Sequence, residues 1–144
     1  KNRLDGRYSI TGYHNRAPYN FTYESSTTDP SELLFDMITT GPNSVVYYWL
    51  AGGDFGHCIG LGSSLSWYGD FAPELTFNVD NDMVSVVNFV APGSPVMGVF
   101  VNPAYNTFPS RFDPSDHTIY ACFNYNNNPL RGFFDTLTYI GPRP

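Results

Sequence analysis

The sequence predicts an all-β fold, an antiparallel β-sandwich or jelly roll with at most one short helix. Its 12 prolines and 13 glycines cut the 144 residues into short segments, few of which are long enough for an ordinary amphipathic helix. The segments between them are rich in Val, Phe and Tyr, which fit the half-buried surface of a sheet. Many short strands at such spacing are typical of a sandwich or barrel.

The best candidate for a helix covers residues 29–39. Asp29 suits the N-cap position, and Pro30 suits the first helical position. The apolar stripe of this helix would consist of Leu33, Leu34, Met37 and Ile38. Gly41-Pro42 would end it, because proline cannot continue a helix.

The remaining segments are predicted strands. Residues 45–50 form a β-branched and aromatic run, and residues 75–79 alternate apolar with polar, which predicts one packed and one solvated face. Further strands are predicted at residues 84–90, 96–101, 118–125 and 133–140. No linker or convincing repeat divides the chain, so we predict one domain over residues 1–144.

The charge of the chain excludes several function classes. Charged residues make up 14% of the sequence, below the roughly 25% of an average domain. The net charge is −6 with 7 Lys and Arg, so we predict no direct nucleic-acid binding, which depends on basic side chains. No apolar run approaches the ~20 residues of a membrane span, so we predict no membrane insertion. Because the chain begins at Lys1 without a Met-led signal segment, we expect a processed or excised fragment.

The cysteines and their neighbours are the first place to look for an enzyme. Cys58 and Cys122 would pair only if the fold brought their Cα atoms within about 7 Å, and buried free thiols are ordinary core residues. His57 directly precedes Cys58, and a thiol nucleophile needs a nearby base. Adjacent residues of a strand point to opposite faces, however, so we predict no catalytic residue and no enzyme.

The polar clusters do not fit a metal or cofactor site. The acidic turn at residues 80–82 offers oxygen ligands but lacks the spacing of a calcium loop, and a hairpin turn explains it. The 3 histidines lack the close spacing of zinc ligands. The glycines between residues 52 and 62 are not followed by the lysine of a phosphate-binding loop. We therefore predict neither a metal nor a cofactor.

Aromatic and amide side chains near predicted turns make the best candidate binding surface. Flat rings stack on sugars and protein partners, and amides form hydrogen bonds without needing charge. Packing in the core is the alternative for each ring. The candidate receptor- or ligand-binding residues are Trp67, Tyr68, Tyr105, Asn106, Tyr125, Asn126 and Asn127.

Three segments in the second half of the chain resemble picornavirus-type capsid proteins. The central strand of that jelly roll is similar to residues 68–79, which read Tyr-Gly-Asp-Phe-Ala-Pro-Glu-Leu-Thr-Phe-Asn-Val. The following strand and its exit are similar to residues 86–96, which read Val-Val-Asn-Phe-Val-Ala-Pro-Gly-Ser-Pro-Val. The end of the largest outer capsid protein resembles residues 139–144, which read Tyr-Ile-Gly-Pro-Arg-Pro. The resemblance implies a structural subunit without enzymatic activity.

These observations favour a structural capsid domain, or a protruding domain of a related capsid, that assembles through its sheet surfaces. Its partners would be other capsid subunits or copies of itself, together with a host receptor or glycan, and its location would be the capsid surface of the virion. The alternative is a secreted, lectin-like β-sandwich domain that binds carbohydrate. In a secretory pathway, Asn20-Phe21-Thr22 would be an acceptor sequence for N-glycosylation.

Overall fold

The computed structural model describes residues 1–18, 20–68, 71–89, 110–126, 128 and 130–144, together with the backbone of residues 97–99. Within these residues the helical elements are two short 3₁₀ turns, Glu24–Ser26 and Pro30–Leu33. None of the described segments forms a helix of the length and apolar character that a membrane span requires. The rest of the regular structure is antiparallel strand, so the predicted all-β fold class is confirmed.

The strands, in chain order, are β1 (Gly6–Asn15), β2 (Leu34–Gly41), β3 (Ser44–Trp49), β4 (Asp54–Phe55), β5 (Cys58–Gly60), β6 (Leu65–Trp67), β7 (Pro73–Phe77), β8 (Val84–Asn88), β9 (Met97–Val99), β10 (Arg111–Asp113), β11 (Thr118–Tyr125) and β12 (Gly132–Gly141).

Most neighbours in the main sheet are also neighbours along the chain. Strands β1, β2, β3, β7 and β8 follow one another as antiparallel pairs, and β12 pairs with the other side of β1. The far edge of β11 pairs with β9 at one end and with β10 at the other. At the side of β8, Met83 bridges to Arg111 of β10, and the Val84 N–H donates to the Ser110 carbonyl at 2.9 Å. The sheet therefore curls until its two ends meet, in a barrel-like arrangement.

The side chains enclosed by the curled sheet form the main hydrophobic core. On β12, Phe133 and Leu137 are fully buried in this core, and Asp135 lies between them with no exposed surface. Because successive residues of a strand face opposite sides, Phe134 lies outside the main core and stacks on Tyr13 at 4.7 Å between ring centroids. Strand periodicity thus places one carboxylate in the middle of an apolar, aromatic interior.

The predicted helix over residues 29–39 is wrong beyond its first turn. The Asp29 carboxylate caps the 3₁₀ turn Pro30–Leu33, as expected, but the chain then continues as β2. Phe35 and Met37 of β2 are fully buried, at the two-residue spacing of a strand. The strand ends in the β-branched run Ile-Thr-Thr, and pairing with both β1 and β3 outweighs the weak helical pattern.

Cys58 and Cys122 are both buried. Cys58 lies in the main core, whereas Cys122 packs with Phe134 in the separate cluster on the other side of the sheet. The sheet itself therefore separates the two thiols, and they do not form a disulfide.

Candidate functional site

A groove of about 380 Å³ lies where the ends of β1, β11 and β12 meet the β5–β6 hairpin. We call it the aromatic groove. Its volume falls in the range of roughly 300–1,000 Å³ that is common for small-molecule sites. It is lined by Arg16, Ile59, Leu61, Ser66, Trp67, Tyr68, Tyr125 and Arg131.

The register of the sheet places two arginines side by side at this groove. Asn15 of β1 is paired with Gly132 of β12 at the end of the ladder. The two strands are antiparallel, so the residues directly beyond this pair are Arg16 on the side of β1 and Arg131 on the side of β12. Across the β11–β12 hairpin, the Tyr125 N–H donates to the carbonyl of Arg131 at 2.8 Å. Backbone pairing thus fixes Arg16 beside Tyr125 and Arg131, which are more than 100 residues away in the sequence.

Two tyrosines form the inner wall of the groove. Tyr68 follows the end of β6 and is 7% exposed, and its ring packs at right angles to that of Tyr125 with 5.0 Å between centroids. The other side of Tyr68 contacts the buried ring of His14 at 4.4 Å between centroids. Tyr68 is therefore held by packing on two sides.

Trp67 forms the outer wall. Its indole ring meets Trp49 edge-on at 5.0 Å between centroids and remains 40% exposed. The ring also lies against the backbone of Gly52 and Gly56, where an added Cβ would come within 2.2 and 2.1 Å of it. These close approaches require glycine at both positions, and they hold the indole in place while two-fifths of it stays open to solvent.

The aromatic groove carries positive charge in a chain whose net charge is negative. Three of the 6 arginines are paired with carboxylates, in the pairs Arg7–Asp36, Arg111–Asp113 and Arg143–Asp5. Arg16 and Arg131 form no ion pair with any described residue, and no described carboxylate lines the groove. Burial raises the pKa of Tyr68, and the charges of Arg131 and Arg16 act against that rise.

A second groove of about 310 Å³ adjoins the first, because Arg16 and Arg131 line both. Its remaining lining residues are Asn15, Ala17, Asn20, Asn128 and Leu130. Asn15 is 3% exposed, and its Nδ2 donates no hydrogen bond to any described residue. The second groove therefore contributes amide groups next to the two guanidinium groups.

Beneath the grooves, Asp135 is the centre of a fully buried hydrogen-bond network. Its Oδ1 accepts from the Tyr23 hydroxyl at 2.9 Å, and its Oδ2 accepts from the Tyr47 hydroxyl at 2.9 Å. His57 Nε2 lies 2.5 Å from the same Oδ2. The three partners come from different parts of the chain, so one carboxylate ties β12 to β3 and to the segments that precede the first 3₁₀ turn and β5.

The hydrogen-bond pattern shows how this carboxylate is tolerated in the core. His57 Nδ1 lies 2.6 Å from the Cys58 carbonyl, which can only accept, so this nitrogen carries a proton. A hydrogen bond between His57 Nε2 and Asp135 Oδ2 means that the carboxylate is not buried as an isolated ion.

The network also positions the aromatic groove. His57 stands directly before β5, and its carbonyl accepts a hydrogen bond from the Tyr68 N–H at 3.1 Å, directly after β6. Both ends of the β5–β6 hairpin are therefore joined at His57, whose ring is held in the core by Asp135. The hairpin that carries half of the groove depends on this buried contact.

The structure gives a reason why the His57 ring does not act as a base for the Cys58 thiol. Both ring nitrogens of His57 are occupied, one by the Cys58 carbonyl and the other by Asp135. Burial raises the pKa of the Cys58 thiol well above its usual range, and the nearby Asp135 charge raises it further. The thiol is therefore neutral and has no contact with solvent.

His14 is a second buried imidazole, on the other side of Tyr68 from the groove. Its Nδ1 lies 3.1 Å from the Gly132 carbonyl, and its Nε2 has no hydrogen-bond partner among the described residues. Burial lowers the pKa of His14 to about 3, and the nearby His57 contributes in the same direction. His14 is therefore neutral at physiological pH and acts as a packing ring behind Tyr68.

Three of the predicted binding residues come together in the aromatic groove: Trp67, Tyr68 and Tyr125. Asn126 is exposed at the turn with a φ of 57° and does not line the groove. Tyr105, Asn106 and Asn127 lie outside the described residues. Sequence reasoning missed Arg16 and Arg131, because only the β1–β12 register brings them to the aromatic rings.

No family model matches the chain, and no curated protein or solved structure matches it. Among the residues that the structure describes, no three His, Cys, Asp or Glu side chains are grouped in a way that would hold a metal ion. The resemblance to picornavirus-type capsid proteins stays a prediction. The chemistry of the aromatic groove is therefore the feature of this chain that bears on its function.

Proposed function

We propose that this chain is a carbohydrate-binding domain whose ligand lies in the aromatic groove. The observation that supports this proposal is the convergence of Trp67, Tyr68 and Tyr125 on one groove of suitable volume. Aromatic faces stack on the apolar faces of sugar rings. Arginine and serine side chains on the same walls supply hydrogen bonds to hydroxyl groups.

The rigidity of the groove supports the same proposal. Tyr68 is held between His14 and Tyr125, and Trp67 is held by Trp49 and two glycines. A wall that is ordered before binding loses little conformational entropy when the ligand arrives. Weak, specific sugar contacts depend on such preorganisation, because each hydroxyl hydrogen bond exchanges a bond to water for one to protein.

The test is a glycan array with the wild-type chain and two variants. The chain should be produced in bacteria, so that Asn20 carries no glycan beside the groove. We expect binding to a defined set of saccharides, and Trp67→Ala should abolish it. Phe55→Ala is the matched control, because Phe55 is a similarly exposed ring, 38% against 40%, outside the groove. An array without any bound saccharide would contradict the proposal.

A structural capsid domain is the second candidate, and exposed apolar side chains favour it. Phe55 and Phe89 are each 38% exposed and contact each other at 5.6 Å between centroids, and Val87 is 43% exposed. Apolar and aromatic surface of this kind is typical of the centres of protein interfaces. Light scattering at several concentrations separates the candidates. Large assemblies with an empty glycan array favour the capsid domain, and a monomer that binds saccharides contradicts it.

A further inference from the structure

We infer that the ligand of the aromatic groove is an acidic saccharide whose carboxylate binds at Arg16 and Arg131. This inference rests on the proposed carbohydrate-binding role and adds the chemical class of the sugar. It concerns Arg16 and Arg131, which line the groove but are not among the rings that would stack on the sugar.

The fold leaves the charges of two arginines without a carboxylate partner among the described residues. Arg7, Arg111 and Arg143 each have a carboxylate within 4.0 Å, and Arg3 lies over the rings of two phenylalanines. Arg16 and Arg131 have no carboxylate partner among the described residues, Arg131 donates a side-chain hydrogen bond to Tyr68, and the two arginines lie next to each other at the end of paired strands. Two adjacent like charges repel each other, and an anion bound between them would offset this repulsion.

The two arginines lie beside the aromatic rings of the groove. Arg16 and Arg131 line both grooves, so they stand at the boundary between the aromatic walls and the amide-lined second groove. A sugar ring stacked on the aromatic side would present a ring substituent to the guanidinium groups. Guanidinium groups bind carboxylates through two parallel hydrogen bonds, a geometry that neutral hydroxyls cannot match.

The second groove contains three asparagine side chains beside the arginines. The buried Asn15 has an amide nitrogen without a described acceptor, and Asn20 and Asn128 line the same groove. A buried donor without an acceptor costs free energy, which a ligand oxygen at this place would recover after a small shift of the side chain. Amides next to a cation pair suit a ligand that combines hydroxyls with one anion.

The net charge distinguishes an acidic sugar from a nucleic acid. The chain carries −6 overall, so a long polyanion would be repelled by the surface beyond the groove. A saccharide with one carboxylate on a ring brings a single charge to the two arginines. Screening confines that attraction to about 8 Å at physiological ionic strength, so the rest of the chain has little effect on it.

The experiment compares a carboxylated sugar with its own neutral form. The array should contain neutral, carboxylated and sulfated saccharides together with a single-stranded oligonucleotide. The best carboxylated ligand is then titrated by calorimetry beside the same sugar with its carboxylate reduced to an alcohol. Arg16→Gln and Arg131→Gln are the groove variants, and Arg111→Gln is the matched control outside it. Thermal unfolding of each variant verifies that it is folded.

We expect the reduced sugar to bind at least about ten-fold more weakly, since a hydrogen bond to a charged group is stronger than one to a neutral hydroxyl. Each groove variant should lose a similar factor, and Arg111→Gln should lose none. Equal binding of both sugar forms, with Trp67→Ala still inactive, would overturn this inference and leave the proposed function intact. A sulfated ligand with the same arginine dependence would overturn the carboxylate assignment. Binding of the oligonucleotide alone, or of nothing, would overturn both proposals.

Discussion

Removing the Asp135 carboxylate should destabilise this protein more than removing any exposed carboxylate. In Asp135→Ala, the buried donors of Tyr23, Tyr47 and His57 lose their acceptor. Removing one partner of a buried acid–base pair costs about 3–5 kcal/mol. With a urea dependence of about 2 kcal/mol per molar, the unfolding midpoint should fall by about 2 M.

Equilibrium urea unfolding, followed by tryptophan fluorescence, measures this change. Tyr47→Phe removes one donor and leaves the carboxylate, so its loss should be smaller, about 1–3 kcal/mol, and it covers the case in which Asp135→Ala does not fold. Asp113→Ala is the control, because Asp113 is partly exposed and its pair with Arg111 is long at 3.6 Å. If Asp135→Ala and Asp113→Ala unfolded at the same urea concentration, the network would not stabilise the core as argued.

Three further predictions concern the backbone, acid stability and thiol reactivity. Gly12→Ala places a Cβ 1.7 Å from a carbonyl oxygen of β12, at a position where φ is 128°. Thermal unfolding should therefore show that the free energy of unfolding falls by about 3 kcal/mol or more. Gly141→Ala is the control and should be neutral, because an added Cβ there meets open space. Burial alone would raise the pKa of Asp5, but hydrogen bonds from Arg143 and Thr39 lower it to about 2, against about 4 when unfolded. The stabilisation from Asp5 is therefore full above about pH 4 and is lost between about pH 4 and 2. The urea midpoints of wild type and Asp5→Asn should differ at pH 5 and converge at pH 2. A difference that stays constant over this range would contradict the prediction. Cys58 should react with iodoacetamide only after unfolding, as mass spectrometry of the labelled peptide would show, and rapid labelling of the native chain would refute its burial.

Local patterns in the sequence predict several of the strands, because strand periodicity is a short-range property, but they do not indicate β1 or β2. The alternation predicted for residues 75–79 places Leu75 and Phe77 in the core and leaves Thr76 exposed. The predicted strand at residues 118–125 coincides with β11. The helix predicted over residues 29–39 extends too far, because the spacing of its first apolar residues fits both an α-helix and a β-strand. Only pairing with β1 and β3 decides in favour of a strand.

The candidate site depends on long-range register, which the sequence alone does not determine. Trp67, Tyr68 and Tyr125 were predictable as aromatic residues near turns, but their common groove follows from the β5–β6 hairpin packing beside β11. Arg16 and Arg131 carry no local signal at all. Asp135 reads as one polar residue in an apolar strand, and its partners lie 78, 88 and 112 residues away. A lone acidic residue at a core-facing position is the one sequence feature that could have pointed to the network.

The pairing of β1 with β12 also determines when folding can finish. Ile10 faces Leu137, so the sheet joins residues from opposite ends of the sequence. During synthesis, β1 can pair with β2 early, but its other edge stays open until β12 has left the ribosome. An open strand edge is a template for pairing with other chains, so nascent copies are most prone to aggregation during this interval. Contacts of such long sequence separation also slow folding, so the pairing of β1 with β12 should form late in the folding of this chain.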